Sequence, residues 1–125
     1  MPELLERRML LADVLPALDA EVVCGARPAL QAELTSCFAA DLMSEVLAFC
    51  APGALLVTGL ANVQAVHTAD VADLQGVLFV NGKRPGADAI QVAERRGIPL
   101  LTTRLTMFAV CGILFARGLR PAAKH

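Results

Sequence analysis

"VLFVNGKRPGADAI", residues 77–90, decides how this chain folds. It reads as an apolar strand, a Gly-Lys pair and a helix, the outline of a phosphate-gripping loop. The details differ. A P-loop requires G-x-x-x-x-G-K-[ST], because four residues between the glycines shape the anion nest and the Ser/Thr hydroxyl holds magnesium. Here five residues separate Gly76 from Gly82, and Arg84 stands where Ser or Thr is needed. Pro85 also removes a backbone N–H from the helix start. The stretch is a strand-to-helix turn, with Lys83 and Arg84 adding positive charge beside it.

The same rhythm extends in both directions. Downstream, "PGADAIQVAERRG" (85–97) predicts a helix with Pro85 in its first turn and Gly97 just past its end. "IPLLTT" (98–103) predicts a strand, and "RLTMFAVCGILFARG" (104–118) a last helix stopped by glycine. Upstream, "NVQAVHTADV" (62–71) is a helix with Asn62 as its cap, and "ALLVTG" (54–59) a buried strand. "DLMSEVLAFC" (41–50) is a helix capped by Asp41 and closed by Pro52-Gly53. "EVVCG" (21–25) is a short strand. In "RPALQAELTSCF" (27–38) the alternation of Leu30, Ala32 and Leu34 permits a strand. Residues 2–18 predict an amphipathic helix with Leu4, Leu5, Met9, Val14 and Leu18 on one stripe, weakened by Pro16.

Apolar strands alternating with helices predict an α/β fold of three layers, α/β/α, around a mainly parallel sheet. The expected organisation is an N-terminal helix over 1–20 packed on one α/β domain over 21–120, then a tail over 121–125. The last helix is apolar nearly all round, through Leu105, Met107, Phe108, Val110, Ile113, Leu114 and Phe115. Such a helix needs cover on more than one side, which points to central packing or to a homodimer.

Composition narrows the function. Apolar residues make up 56% of the 125, yet Trp and Tyr are absent and Phe numbers five, so aromatics for stacking on bases are few and a nucleic-acid partner is not expected. No apolar run nears the ~20 residues of a membrane span. Acids precede the first apolar stretch, unlike a secretory signal, and the expected location is the cytoplasm. Cys24, Cys37, Cys50 and Cys111 form no C-x-x-C pair and are expected to be free, reduced and without metal. Residues 1–82 hold three Lys/Arg against ten Asp/Glu, whereas residues 83–125 hold eight against two. Either the two halves pair internally, or the second presents a basic patch to an anion or to another subunit.

Ligands of open α/β sheets bind beyond the carboxyl ends of the strands. Those ends carry Thr58 and Gly59, then Asn81, Gly82 and Lys83, then Thr102 and Thr103, with Asn62, Asp41 and Ser44 at nearby helix starts. Hydroxyls, amides, a lysine and helix N-termini hold phosphate or carboxylate, although the same residue types also serve as caps and turn formers. No catalytic set is evident: His67 lies mid-helix, facing a neighbouring element, His125 is terminal, and Ser44 has no base. Asp70 and Asp73 read as a solvated helix end, and no cofactor or metal is expected.

With these elements in place, the region from about residue 22 to 119 resembles the DRTGG domain family, above all the short members similar to the N-terminal domain of HPr kinase/phosphorylase. The matching stretches are "ADLMSEVL" (40–47), "VTGLANVQAV" (57–66), "NGKRPGADAIQVAERRGIPLLTT" (81–103) and "MFAVCGILFARGL" (107–119). The resemblance implies a three-layer, regulatory, self-associating domain, with Asp41, Ser44, Thr58, Asn62, Gly82, Pro85 and Thr103 at recurrent positions. Where many members carry Asp-Arg after Thr-Gly, this chain has Leu60-Ala61, and Val80-Asn81-Gly82 replaces Thr-Gly-Gly. The kinase chemistry of HPr kinase belongs to a separate P-loop domain, and this chain has no such loop. The expected function is therefore a non-catalytic regulatory domain, dimeric, binding a small anionic metabolite or nucleotide and modulating a partner enzyme. Two alternatives stand beside it. One is an enzyme subunit for phosphorylated metabolites, its site completed across a dimer by Arg104 or by Asp41 and Ser44. The other is an interaction module docking through its last helix.

Overall fold

The apolar runs become strands and the segments between them helices, as laid out in a computed structural model that describes residues 9–124. In chain order the elements are β1 (Met9–Leu10), a 3-10 turn (Leu11–Asp13) leading into α1 (Val14–Leu18), β2 (Glu21–Cys24), α2 (Arg27–Leu30), β3 (Glu33–Leu34) and β4 (Ser36–Ala39). Then come α3 (Met43–Phe49), β5 (Leu55–Thr58), α4 (Val63–Val71), β6 (Gly76–Phe79), α5 (Ala87–Arg96), β7 (Leu100–Thr102), α6 (Met107–Ala116) and β8 (Arg120–Pro121).

The main sheet has six strands in the order β2-β7-β6-β5-β4-β8. All neighbours run parallel except β2, which is antiparallel to β7. β1 and β3 form a separate antiparallel pair. The fold is thus α/β with a mostly parallel main sheet, as the sequence predicts. Register places Thr58 beside Phe79 and Phe79 beside Thr102, so the three strand tips lie in one row. Glu21 pairs with Thr102, which brings the start of β2 to the same end.

Period-2 alternation divides the core between two faces. Leu56, Val77, Phe79 and Leu100 pack with Met43, Val46, Ala65, Val66, Ala69, Ala89 and Ala93, so α3, α4 and α5 cover one face. Leu55, Val57, Leu78 and Leu101 pack with Leu11, Val14, Leu18, Val110 and Leu114, which places α1 and α6 on the other. Gly76 sits where its strand meets the 98–99 turn. A Cβ there would lie 3.1 Å from the Pro99 carbonyl oxygen and 3.3 Å from Leu11 Cδ2.

Several details differ from expectation. Residues 1–8 of the anticipated N-terminal helix lie outside the described residues. From Met9 the chain is a short strand and a 3-10 turn, and α1 is only five residues long. The 3-10 turn before it is fixed by the Leu10 N–H, which donates to Asp13 Oδ2 at 2.8 Å. Within 27–38, Pro28 opens a short helix and the chain becomes extended only later, giving β3 and β4. The stretch read as a tail from residue 121 begins in the sheet: β8 adds to β4, and Ala122 is buried. α6 starts at Met107, capped by Thr106, whose Oγ1 accepts from the Ala109 N–H. It is not enclosed within the domain. Val110 and Leu114 are buried, but Phe108 is 90% and Phe115 61% exposed.

Because β6 is shielded on both faces and both edges, truncating it cannot be relieved by solvent. Leu78→Ala is expected to destabilise the fold by about 2–5 kcal/mol, read as a lower urea midpoint with an unchanged m-value.

Candidate functional site

Beyond the tips of β6 and β7 the chain departs in opposite directions. β6 leads to α5 on one face of the sheet, and β7 leads to α6 on the other. Divergence of this kind opens a crevice, the topological switch point at which open α/β sheets bind ligands. A cavity of about 310 Å³ lies there, lined by Asp19, Glu21, Gly82, Arg84, Thr102, Thr103 and Arg104.

Three loops build its walls. Asn81 and Gly82 both take left-handed backbone (φ 60° and 69°), which reverses the chain within two residues. Asn tolerates this conformation and Gly adopts it freely. The turn is then tied to the next loop: Asn81 N–H donates to the Leu105 carbonyl at 2.9 Å, and Gly82 N–H to the Thr103 carbonyl at 2.8 Å. Thr102 Oγ1 donates to the Lys83 carbonyl at 2.6 Å. Thr103 Oγ1, buried, donates to the Leu18 carbonyl at 2.8 Å and thereby fixes the end of α1. Asp19 follows in left-handed backbone (φ 49°) and directs the chain into β2.

The threonine hydroxyls therefore hold the walls together. The charged groups on the cavity wall are the guanidiniums of Arg84 and Arg104 and the carboxylates of Asp19 and Glu21. Arg84 pairs with Glu21. The side chains of Arg104 and Asp19 have no hydrogen-bonding or ionic partner among the described residues.

The expected rim is divided. Gly82, Thr102 and Thr103 meet at the cavity, and Asn81 and Lys83 belong to the same turn. Thr58, Gly59 and Asp41 form a separate, closed cluster at the tip of β5. Asp41 Oδ1 accepts from Thr58 Oγ1 at 3.0 Å and from the Gly59 N–H at 2.7 Å. That carboxylate occupies the place an incoming anion would take. Asp41 is accordingly not the cap of α3, whose N-cap is Leu42 and has no side-chain cap. Asn62 is a true cap, its Oδ1 accepting from the Ala65 N–H at 3.2 Å. Ser44 is exposed in the first turn of α3. Leu60 and Ala61 pack against the core. The β5 tip is thus closed by its own carboxylate and flanked by apolar residues.

Asp19 and Glu21 were not legible as site residues. Their place depends on β2 running antiparallel, and nothing local to "EVVCG" states a direction. His67 is exposed and does not face a neighbouring element. Asp70 forms an ion pair with Arg96 at 3.0 Å. Among the described residues no cluster of three or more His, Cys, Asp or Glu is arranged to hold a metal ion.

The four cysteines are free. Burial raises each thiol above its ordinary range, and Cys37 is pushed up to about 11, by burial first and then by the neighbouring Cys111 and Cys50. A thiol held protonated is a poor nucleophile.

A mainly parallel α/β sheet with its crevice where the connections diverge defines the class: a small doubly wound domain. The DRTGG domain model matches residues 13–116, and the chain belongs to that family. Among solved structures it is similar to the CBS and DRTGG domains of the regulatory region of Clostridium perfringens pyrophosphatase, crystallised with the activator diadenosine tetraphosphate. The TM-score is 0.67 at 15% identity, over 81% of this chain and 44% of that one. The chain therefore spans less than half of that structure. No curated protein matches it.

Two outcomes follow from the geometry. Thr103→Val leaves the buried Leu18 carbonyl without its donor, and is expected to cost about 1–3 kcal/mol in chemical denaturation. Cys37 keeps its proton in the fold up to about pH 11 but loses it near the ordinary thiol value of 9.0 when unfolded. The unfolded chain then binds fewer protons between those values, so stability is full below pH 9 and falls as pH rises toward 11. Melting curves across pH 8–11 should show this decline, and Cys37→Ala should make it shallower, the other three raised thiols supplying the remainder.

Proposed function

We propose that this chain is a non-catalytic regulatory domain that senses a small anionic ligand, a phosphorylated metabolite or nucleotide, and transmits its presence to a partner enzyme. One observation carries the reading: the cavity at the switch point presents two guanidiniums, one of them without a partner among the described residues. Guanidinium forks match phosphate geometry, and a cavity of this size lies at the lower end of the ~300–1,000 Å³ typical of small-molecule sites. Further support comes from the similar pyrophosphatase region, which is regulatory and was crystallised with a nucleotide activator.

The domain acts as a homodimer through α6. Its ten residues include no polar side chain. Phe108, Gly112 and Phe115 fall on one exposed stripe, and a Cβ at Gly112 would meet nothing within 4 Å. A second copy crossing at Gly112 would bury both phenylalanines against their own counterparts, an isologous contact. The flanking Arg104 and Arg117 stay at the rim.

Thermal-shift titrations with inorganic phosphate, AMP, ATP and diadenosine tetraphosphate test the ligand reading. At ~100 times the dissociation constant, a binder stabilises the fold by about 2.7 kcal/mol. Arg84→Gln/Arg104→Gln should abolish the shift without lowering the melting point of the free protein, and an undiminished response removes this cavity from consideration. For assembly, light scattering after size exclusion should give a dimer for the native chain and a monomer for Phe108→Ser/Phe115→Ser. A monomeric native chain would assign the α6 face to a different protein.

A further inference from the structure

The ion pair between Glu21 and Arg84 lies on the cavity wall, and both side chains are more than half exposed. Their backbones cannot move far. Glu21 is held in register with Thr102 at the start of β2, and the turn before Arg84 is pinned by the Gly82–Thr103 and Thr102–Lys83 hydrogen bonds. Only the two side chains are free to change partners. The side chains of Arg104 and Asp19 line the same cavity without partners among the described residues.

We propose that Glu21 is a built-in competitor for the anion site, its carboxylate standing in for a phosphate on Arg84 until a phosphate ester displaces it. This rests on the reading that the cavity takes an anionic ligand. A phosphate brought to Arg84 and Arg104 meets the like charge of Glu21, so the fork must exchange one acceptor for the other. Once displaced, the Glu21 carboxylate joins that of Asp19 as a hydrogen-bond acceptor with no donor among the described residues. The ligand class that satisfies both ends carries a phosphate for the arginines and hydroxyls for the carboxylates, as a ribonucleotide or sugar phosphate does. Free phosphate satisfies only the first.

Calorimetric titration of the full chain with inorganic phosphate and with AMP tests the exchange. Glu21→Gln removes the competing charge and should tighten phosphate binding about two- to fivefold, the range an exposed ion pair contributes. In an Arg84→Gln background the same change should have no effect, because the competition runs through Arg84. Asp19→Asn, an equal change in net charge, should leave phosphate binding nearly unchanged and weaken AMP binding. Unchanged or weaker phosphate binding by Glu21→Gln overturns the competitor role while leaving the cavity as the ligand site. An equal gain with Arg84→Gln present also overturns it, since the effect would then be one of overall charge. If neither the native chain nor Glu21→Gln binds phosphate or AMP, the ligand reading itself falls. Melting points of all variants, read in the same buffers, separate loss of binding from loss of fold.

Discussion

Strand β6 meets water on neither face and along neither edge. Val77, Leu78 and Phe79 have no exposed surface, and β5 and β7 pair with it on both sides. Every other element is placed relative to that ribbon. Its alternation sends Val77 and Phe79 toward the helices of one layer and Leu78 toward those of the other. Its first residue is glycine where the chain of the 98–99 turn passes against it, leaving little room for a Cβ. Its end must turn sharply, because the connection has to leave for one face while the next strand's leaves for the other. The cavity follows from that divergence.

Much of this was legible in the residues. The runs 54–59, 76–80 and 98–103 are apolar except for threonines near two of their ends, the pattern of strands in a doubly covered sheet. The glycines and prolines between them mark turns. What failed to show was direction and partnership. Asp41 and Asn62 are both small polar residues beside a helix start, yet Asn62 caps its helix and Asp41 reaches across to the β5 tip. Residue type does not separate these roles, since both offer the same acceptor to the nearest N–H. Similarly, the list of strand tips in the sequence is uniform, whereas the structure divides it. One tip is closed by its own carboxylate and the other two are open. The family was legible from four weak stretches in the right order, because a fold constrains spacing even where single residues drift.

Charge gives a third view. The acidic first part of the chain and the basic second part read as either internal pairing or an outward patch. The structure uses both. Asp70–Arg96 and Glu21–Arg84 join the two parts, while Arg104 faces the cavity with no acidic partner among the described residues. Exposed pairs of this kind add little to stability. Their effect is on where positive charge is available.

The two borders of the sheet have a consequence for how the chain comes off the ribosome. The inner pairings join residues close in sequence, such as Leu55 with Gly76 and Val77 with Leu100. The outer ones join Glu21 with Thr102 and Ser36 with Arg120. Closing those larger loops carries roughly 1 kcal/mol more entropy. A nascent chain that has emerged only as far as α5 holds β6 with one side unpaired and β2 with no neighbour at all. Until residue 102 arrives, that bare edge can template pairing with another polypeptide. Synthesis therefore passes through a vulnerable interval that closes only once β7 has emerged and paired.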